Sequence, residues 1–253
     1  MKRASGKMNL KRNMAKEPAE QLAVVEIDFS RHVDRKLPAA DQIYQGLREA
    51  IISGNFRPNE AISENRVCGM FNVSRSPVRI ALTRLAEDKL IDIFPQRGSF
   101  VSPIILQKVQ EGHFARVALE LAVLSEAAKH WTDKSSSEAK KAIKLQQQFS
   151  KTGDLWSFHT ADELFHRSFA DAAKLEGIWD TILSVKTHLD RVRHLANPVK
   201  GHMEKVIDEH KAVVQHLDAG NAKGAVEAMR QHLDSLHTTI ARLKALHSQI
   251  FLE

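Results

Sequence analysis

Residues 63–90 constrain the fold most strongly, because their spacing predicts two short helices joined by a tight turn. Ser63 is a suitable N-cap for the first helix, and Asn72 is a residue that tolerates a tight turn. Ser74 is placed to cap the second helix. The apolar stripe of that helix consists of Val78, Ala81, Leu82 and Leu85. The pattern predicts a helix-turn-helix.

Two arginines, Arg75 and Arg79, lie one turn apart at the front of the second helix, away from its apolar stripe. With Ser74 and Ser76 they suit the major groove of DNA, where arginine can donate two parallel hydrogen bonds to guanine and hydroxyls can bind phosphate. On an arbitrary helix the same residues would more often form a solvated surface. Residues 90–101 predict a hairpin with a basic, glycine-containing tip. A helix-turn-helix followed by a hairpin is a winged helix, which favours the DNA interpretation.

The chain has 37 Lys and Arg residues against 31 Asp and Glu residues, a formal net charge of +6. This charge permits an anionic partner without requiring one. Residues 1–16 hold six basic residues and no acidic one, so we expect a basic, disordered tail over residues 1–36. The tail either contacts nucleic acid or is an extension without a role. No apolar run approaches the roughly 20 residues that span a bilayer, and we expect a cytoplasmic protein with no membrane partner.

The composition changes at Pro103, and from about residue 106 onward helical spacing replaces the alternation typical of strands. Six helices are predicted, at 106–131, 135–150, 154–170, 175–196, 202–219 and 221–249. Helices of these lengths with short connections favour an antiparallel bundle. We therefore expect a mainly α protein, with a winged helix-turn-helix domain at 37–103 and a six-helix bundle domain at 104–253.

Four residues of the predicted bundle form a candidate metal site. Asp162 and His166 are four residues apart and share one helix face, while His210 and His232 lie among apolar residues on two other helices. A buried carboxylate with three imidazoles is costly unless the groups pair with each other or bind a metal. The set suits zinc, nickel, copper or iron, and is compatible with manganese. From spacing alone, hydrogen-bonded core histidines remain the commoner alternative.

Residues 40–103 resemble the winged-helix module of the GntR family of bacterial transcription regulators. The matching residues are 47–54, Pro58, 63–67, 73–79, Ala81, Leu82, Arg84, Leu85, Leu90 and 97–101. The bundle resembles the all-helical FCD effector domain of the FadR-type subfamily. Its matching residues are Arg116, Glu120, Phe158, Asp162, Phe165, His166, Glu209, His210, Gly220, Asn221, Ala225, Met229, His232 and Leu233. Together the two resemblances cover roughly residues 40–240.

In that family an Asp and three His typically hold a divalent metal beside a pocket for a small carboxylate. The resemblance therefore implies that Asp162, His166, His210 and His232 are ligands of a zinc-, nickel- or manganese-type ion. Arg116 is a candidate to pair with the carboxylate of a small organic acid effector. Its alternative role is a structural ion pair with Glu120 one turn later. His188 and Arg191 are further candidates for lining the effector cavity.

The resemblance also implies a homodimer that reads a short palindromic operator in double-stranded DNA, with the wings in the flanking minor groove. The residues implied to contact DNA are Arg66, Ser74, Arg75, Ser76, Arg79 and Arg97, and Gly98 would permit close approach of the wing backbone. Two glycines common in the family, after Pro58 and before Leu90, are replaced here by Asn59 and Lys89.

These features predict a ligand-responsive repressor or activator without catalytic residues. One alternative is a metal-dependent enzyme, because an Asp and three His with open coordination positions could activate water. Glu163 and Glu209 lie beside ligands in the sequence, but we expect them to point to other faces of their helices, which leaves no general base for such an enzyme. A second alternative is a metal sensor, in which the ion itself is the signal.

Overall fold

The computed structural model of the protein describes residue 34, residues 36–235, and residues 240, 243, 245, 251 and 252. The predicted basic tail lies almost entirely outside these described residues. So does most of the predicted last helix beyond residue 235. Among the helices of the described residues, none is long and apolar enough to cross a membrane.

The N-terminal part of the described chain is a winged helix. Its elements are α1 (Ala39–Ile52), β1 (Ala61–Ile62), α2 (Glu64–Phe71), α3 (Arg75–Glu87), β2 (Ile91–Phe94) and β3 (Gly98–Val101). The strands form an antiparallel sheet in the order β1-β3-β2, with Phe94 opposite Gly98 at the end of the β2–β3 hairpin. One core fills the space between helices and sheet, formed by Ile43, Leu47, Val67, Val78, Leu82, Leu85, Leu90, Val101 and their neighbours. The predicted helix-turn-helix and hairpin are both confirmed.

Ser63, Asn72 and Ser74 occupy the helix-cap and turn positions that the sequence predicts for them. The Ser63 side chain accepts a hydrogen bond from the Arg66 backbone N–H at the start of α2. Asn72 ends α2 in the left-handed region, at φ 51°. Ser74 occupies the N-cap position of α3, but its side chain makes no capping hydrogen bond. Its hydroxyl is exposed at the front of the second helix.

Asn59 and Lys89 adopt a left-handed backbone conformation, which glycine takes without strain. Their φ angles are 66° and 61°, in the region that costs most residues roughly 1–2 kcal/mol. At Lys89 this conformation closes the end of α3, since the Leu90 N–H donates to the Leu85 carbonyl at 2.9 Å.

The remainder of the described chain is a helical bundle. Its helices are α4 (Leu106–Ala127), α5 (Asp133–Thr152), α6 (Leu155–Ala173), α7 (Glu176–Val185), α8 (Thr187–Ala196), α9 (His202–Asp218) and α10 (Ala222–Asp234), with a short 3-10 turn at Ala128–His130. Its apolar core is built largely from Phe158, Phe165, Phe169, Trp179, Val213, Leu217, Met229 and Leu233. The predicted all-helical domain is confirmed.

A two-stranded parallel sheet joins the end of the chain to the start of the bundle. β4 (Ile104–Ile105) follows the wing, and β5 (Phe251–Leu252) pairs with it. The sequence analysis expected no strand beyond residue 106. Two-residue strands are too short for a periodic pattern, which explains why β5 was not predicted.

The predicted helix at 175–196 was wrong in one respect, because the structure divides it into α7 and α8 at Lys186. The Lys186 side chain is buried, and its Nζ donates to Glu163 and, at 2.6 Å, to Asp190. Gly112 of α4 faces this break. A Cβ added at Gly112 would lie 2.3 Å from the Val185 carbonyl oxygen, so α4 can approach the break only because residue 112 is glycine.

Gly112→Ala is expected to lower the free energy of unfolding by about 1–3 kcal/mol, the usual cost of over-packing. The clash is with backbone, which cannot rotate away as a side chain would. Urea unfolding measures the effect. The matched control is Gly177→Ala in α7, where an added Cβ meets open space; it should keep or raise stability by up to about 1 kcal/mol. Wild-type stability in Gly112→Ala would contradict the close approach.

Candidate functional site

The front of α3 presents two arginines that are already held in place by α2. Arg75 Nη2 donates to Asn65 Oδ1 at 3.0 Å, and Arg79 Nε donates to the Glu64 carboxylate at 3.1 and 3.2 Å. Both arginines and Ser76 are exposed. The structure therefore brings together the arginine pair predicted from the sequence. The structure also shows that Asn65 of α2 contacts this pair. Spacing within one helix could not identify Asn65, because its partner, Arg75, lies on the next helix.

Arg66 does not join this group. Its Nη1 lies 3.3 Å from Glu60 Oε1, and its guanidinium lies 5.1 Å from the centre of the Phe56 ring. The next residue on a helix is rotated by about 100°, so Asn65 faces α3 while Arg66 faces the turn after α1. Arg66 remains exposed, at a different part of the surface from Arg75 and Arg79.

The wing tip is a tight turn between β2 and β3. The Arg97 N–H donates to the Phe94 carbonyl at 3.1 Å, and Gln96 takes a φ of 62°. Pro95 followed by a left-handed residue is typical of a type II turn. The Arg97 guanidinium stacks over Phe94 at 5.6 Å, and Gly98 has a φ of +102° with open space around it. The predicted basic tip is present, with Arg97 supported by an aromatic ring.

Asp162, His166, His210 and His232 meet in the bundle core, as the sequence predicted. The Nε2 atoms of His210 and His232 lie 3.3 Å apart. Asp162 Oδ2 lies 3.8 Å from His166 Nε2, and its Oδ1 lies 3.7 Å from His210 Nε2. One ring nitrogen from each of the three histidines falls within 4.8 Å of the others. We call the space enclosed by these four residues the chamber.

The other ring nitrogen of each chamber histidine has its own partner outside the chamber. These contacts are His166 Nδ1 to Glu120 Oε2 at 2.5 Å, His210 Nδ1 to Gln146 Oε1 at 2.9 Å, and His232 Nδ1 to Glu209 Oε2 at 2.8 Å. Contacts at Nδ1 fix the ring orientation and turn Nε2 toward the chamber. Glu209 contacts His232 from outside the chamber, because its helix, α9, lies beside α10. Glu163 instead pairs with Lys186.

Two arginines also reach the chamber. Arg116 Nε lies 2.5 Å from Glu120 Oε1, and its Nη2 lies 3.0 Å from His166 Nε2. The ion pair with Glu120 and the position at the chamber, which were alternatives in the sequence analysis, therefore occur together. Arg193 Nη2 donates to Asp162 Oδ2. The contact of Arg193 with the chamber was not predicted, because the sequence does not show that α8 passes α6 at this point.

The charge states inside the chamber follow from burial and from these partners. Burial would raise the pKa of Asp162, but Arg193 and the histidines outweigh it and hold that pKa well below its usual value. Burial lowers the pKa of His166 to about 4 and that of His210 well below its usual value. Asp162 is thus ionised and His166 and His210 are neutral, which are the protonation states that metal ligands require.

The donor set fits a divalent metal. Three imidazoles and a carboxylate suit zinc, and the set is also compatible with nickel- and manganese-type ions. The free volume beside the donors is only about 40 Å³, and the surrounding residues include Phe158, His159, Asn197, His202 and Val206. There is room for an ion with a few solvent-sized atoms, or for the polar end of a small acid.

His188 and Arg191 do not line this space, contrary to the sequence analysis. Arg191 Nη1 donates to the Ser102 carbonyl at 2.7 Å, on the segment that leaves the wing. Burial, with the nearby Arg191, lowers the pKa of His188 to about 4. Both side chains lie on the face of α8 that meets the winged helix, because a helix places residues 188 and 191 on a side different from that of Arg193.

Comparison with known proteins identifies relatives of both parts of the chain. Residues 39–101 match the bacterial regulatory proteins of the gntR family, and residues 111–235 match the FCD domain. The chain is 33% identical over 216 residues to the HTH-type transcriptional repressor RspR of Escherichia coli (strain K12), which covers 85% of this chain and 95% of that protein.

A more distant relative and a solved structure agree with this match. The gluconate operon transcriptional repressor of Bacillus subtilis (strain 168) is 25% identical over 202 residues, covering 78% of this chain and 83% of that protein. The crystal structure of a putative transcriptional regulator GntR from Rhodococcus sp. RHA1 is similar with a TM-score of 0.67 and 26% identity, covering 80% of this chain and 97% of that one.

Proposed function

Because the chain belongs to the GntR family of bacterial regulatory proteins and carries an FCD domain, we propose that a small carboxylate bound in the metal-containing chamber controls its operator binding. Members of this family are DNA-binding transcription regulators and not enzymes, and this protein is one of them. A regulator of bacterial DNA is expected to work in the cytoplasm. The observation that carries the proposal is the convergence of Asp162, three histidine Nε2 atoms and two arginines at one enclosed point.

Asp162, His166, His210 and His232 would hold the metal. A bound divalent ion supplies positive charge that attracts an effector carboxylate. The chain itself supplies Arg116 and Arg193, whose planar guanidinium groups match a carboxylate with two parallel hydrogen bonds. The small free volume favours a compact acid. The name of the gluconate operon repressor, a relative, also supports a carboxylate as the class of effector.

The experiment that tests this function measures operator affinity of the full-length protein with a divalent metal, with and without added gluconate or lactate. A change in the operator affinity of metal-loaded protein on adding either acid supports the proposal. A response to metal that neither acid alters would support the metal sensor instead. No response to any combination would contradict ligand control of operator binding.

His210→Ala is expected to reduce bound metal well below the wild-type stoichiometry, because it removes one of three converging imidazoles. Metal content after dialysis, measured by mass spectrometry, reports the change. The matched control is His216→Ala on the same helix, where the ring contacts Asn221 outside the chamber, and it should keep the wild-type metal content. Unchanged metal in His210→Ala would remove this residue from the site.

For DNA, we propose that Arg75, Arg79, Ser74 and Ser76 read the major groove while Arg97 and Gly98 enter the flanking minor groove. The Asn65 and Glu64 contacts support this arrangement, because they hold the two arginines in place before DNA binds. Arg66 would contact a phosphate of the DNA backbone, since it faces away from Arg75 and Arg79.

Arg75→Ala is expected to weaken binding to the selected operator by about 1–3 kcal/mol, through loss of a two-pronged contact to a base. Fluorescence anisotropy with operator and random-sequence duplexes measures both affinities. The matched control is Arg167→Ala, an exposed arginine on α6, which should bind the operator like the wild type. If random duplex loses as much affinity as the operator in Arg75→Ala, Arg75 contacts only phosphate.

We also propose that the protein is a homodimer on a palindromic operator. The supporting feature is a face of α4 that no other described residue covers, where the Phe114 side chain is 78% exposed and Ala118 and Ala122 follow on the same face. An aromatic ring with this exposure, next to small residues, suits packing against a second copy.

Phe114→Asp is expected to convert the dimer into a monomer, because it places a carboxylate in the proposed contact. Folding should be unaffected, since the ring is exposed within one chain. Sedimentation equilibrium should give the wild type about twice the chain mass of 28.5 kDa and the variant 28.5 kDa. Leu164→Asp on α6, at a side chain that is 47% exposed, is the control and should remain dimeric. A monomeric wild type would contradict the proposal.

A further inference from the structure

We infer that Asp190 is a positioning residue that connects the chamber to the winged helix, through Arg193 on one side and Arg48 on the other. The inference rests on the proposed control of operator binding and names the residues that would transmit it. Its starting point is that α8 contacts both the chamber and the winged helix, although it has only ten residues.

Asp190 is a fully buried carboxylate shared by three cations. Its side chain has no exposed area. Lys186 Nζ donates to its two oxygens at 2.7 and 2.6 Å, and Arg193 Nη1 lies 3.7 Å from its Oδ1. Arg48 Nη2, from α1 of the winged helix, lies 3.7 Å from its Oδ2. A charge that is screened so little by solvent interacts strongly with each of these partners.

Arg193 carries the connection into the chamber. One end of its guanidinium, Nη2, donates to Asp162, and the other, Nη1, lies near Asp190. Arg193 therefore lies between a carboxylate of the chamber and a carboxylate of the interdomain contact. Arg48, Asp190, Arg193 and Asp162 form a row of alternating charges that runs from the winged helix to the proposed metal ligand.

The row predicts how occupancy of the chamber reaches Arg48. When the charge of Asp162 is neutralised, Arg193 loses its main anionic partner and its attraction shifts to Asp190. Asp190 is then satisfied by Lys186 and Arg193, and it holds Arg48 less firmly. Arg193 therefore pairs mainly with Asp162 in one state and mainly with Asp190 in the other. Arg48, and with it the winged helix, is held more firmly in the first state than in the second. Coupling between two sites requires two states that differ in this way.

The geometry of α8 supports transmission by this helix. α8 is separated from α7 at Lys186, so it is a distinct element rather than the end of a long rod. It is attached to the winged-helix side at a second point, where Arg191 donates to the Ser102 carbonyl. A small shift of α8 would therefore displace both attachments together.

A second metal site at the same place is the rival explanation. His159, Glu163 and Asp190 bring three ligand atoms within 4.8 Å of one another. However, Lys186 Nζ already donates to both Glu163 and Asp190. The ammonium takes the place that a cation would occupy, so these residues are better explained as an ion-pair network.

The test uses Arg48→Gln in the full-length protein, with Zn²⁺ alone as the probe. The Arg48 side chain is half-buried, at 17% exposure, and Asp190 keeps Lys186 and Arg193 as partners without it, so the variant is expected to fold. Operator affinity is measured for zinc-loaded and chelator-stripped protein, and bound zinc is measured separately. Coupled sites typically change affinity by about 5–150-fold. In Arg48→Gln, the operator affinities of the zinc-loaded and the chelator-stripped protein should differ by no more than about 2-fold, while the zinc stoichiometry stays unchanged.

Two further variants separate coupling from a general structural effect. Arg48→Lys keeps the positive charge and should retain most of the wild-type ratio. Arg167→Gln, which removes an exposed charge on α6, should retain all of it. If Arg48→Gln binds zinc and keeps the wild-type ratio, the coupling is overturned while the proposed function stands. If wild-type protein binds zinc with no change in operator affinity, the coupling is overturned while control by a carboxylate stands. If wild-type protein binds no zinc, both are overturned.

Discussion

Burial of charge inside an all-helical bundle is the constraint on which the rest of this structure depends. Asp162, Asp190 and Lys186 have almost no exposed area. An unpaired charge at such a place would cost several kcal/mol, so each must be matched by an opposite charge or by hydrogen bonds. The bundle meets this requirement with contacts between helices that are distant in sequence, such as Arg193 to Asp162 and Lys186 to Glu163. These contacts fix the positions of the helices around the chamber.

The same constraint explains why α7 and α8 are separate helices. In a continuous helix over 175–196, nothing would require the Lys186 side chain to be buried. The break instead places Lys186 Nζ between two carboxylates. It also requires α4 to pass close to the Val185 carbonyl, which only a glycine at position 112 permits. The position of α8, and with it that of Arg193, thus depends on a charge pairing and on a missing Cβ.

Much of the fold could be predicted from the sequence, because the signals are local. The apolar stripe of α3, the cap at Ser63 and the turn at Asn72 all depend on residues close in the chain. The chamber could be predicted through the spacing of Asp162 and His166 and through family resemblance. Arg193, Gln146 and Asn65 could not, because each acts on a partner across a helix contact. His188 and Arg191 were misplaced for the same reason, since helical spacing does not say which neighbour a face meets.

The proposed DNA-reading surface and the chamber share one feature, which is that their charged groups are ordered before a ligand arrives. Arg79 is held by Glu64, and Arg75 is held by Asn65. Ordering a long side chain in advance lowers the entropy lost on binding, at the cost of exchanging an existing contact. For Arg79 the existing partner is an anion, which repels phosphate. A contact that draws Arg79 forward must therefore compete with Glu64, and a guanine edge can do so because its two acceptors take two parallel hydrogen bonds from the guanidinium.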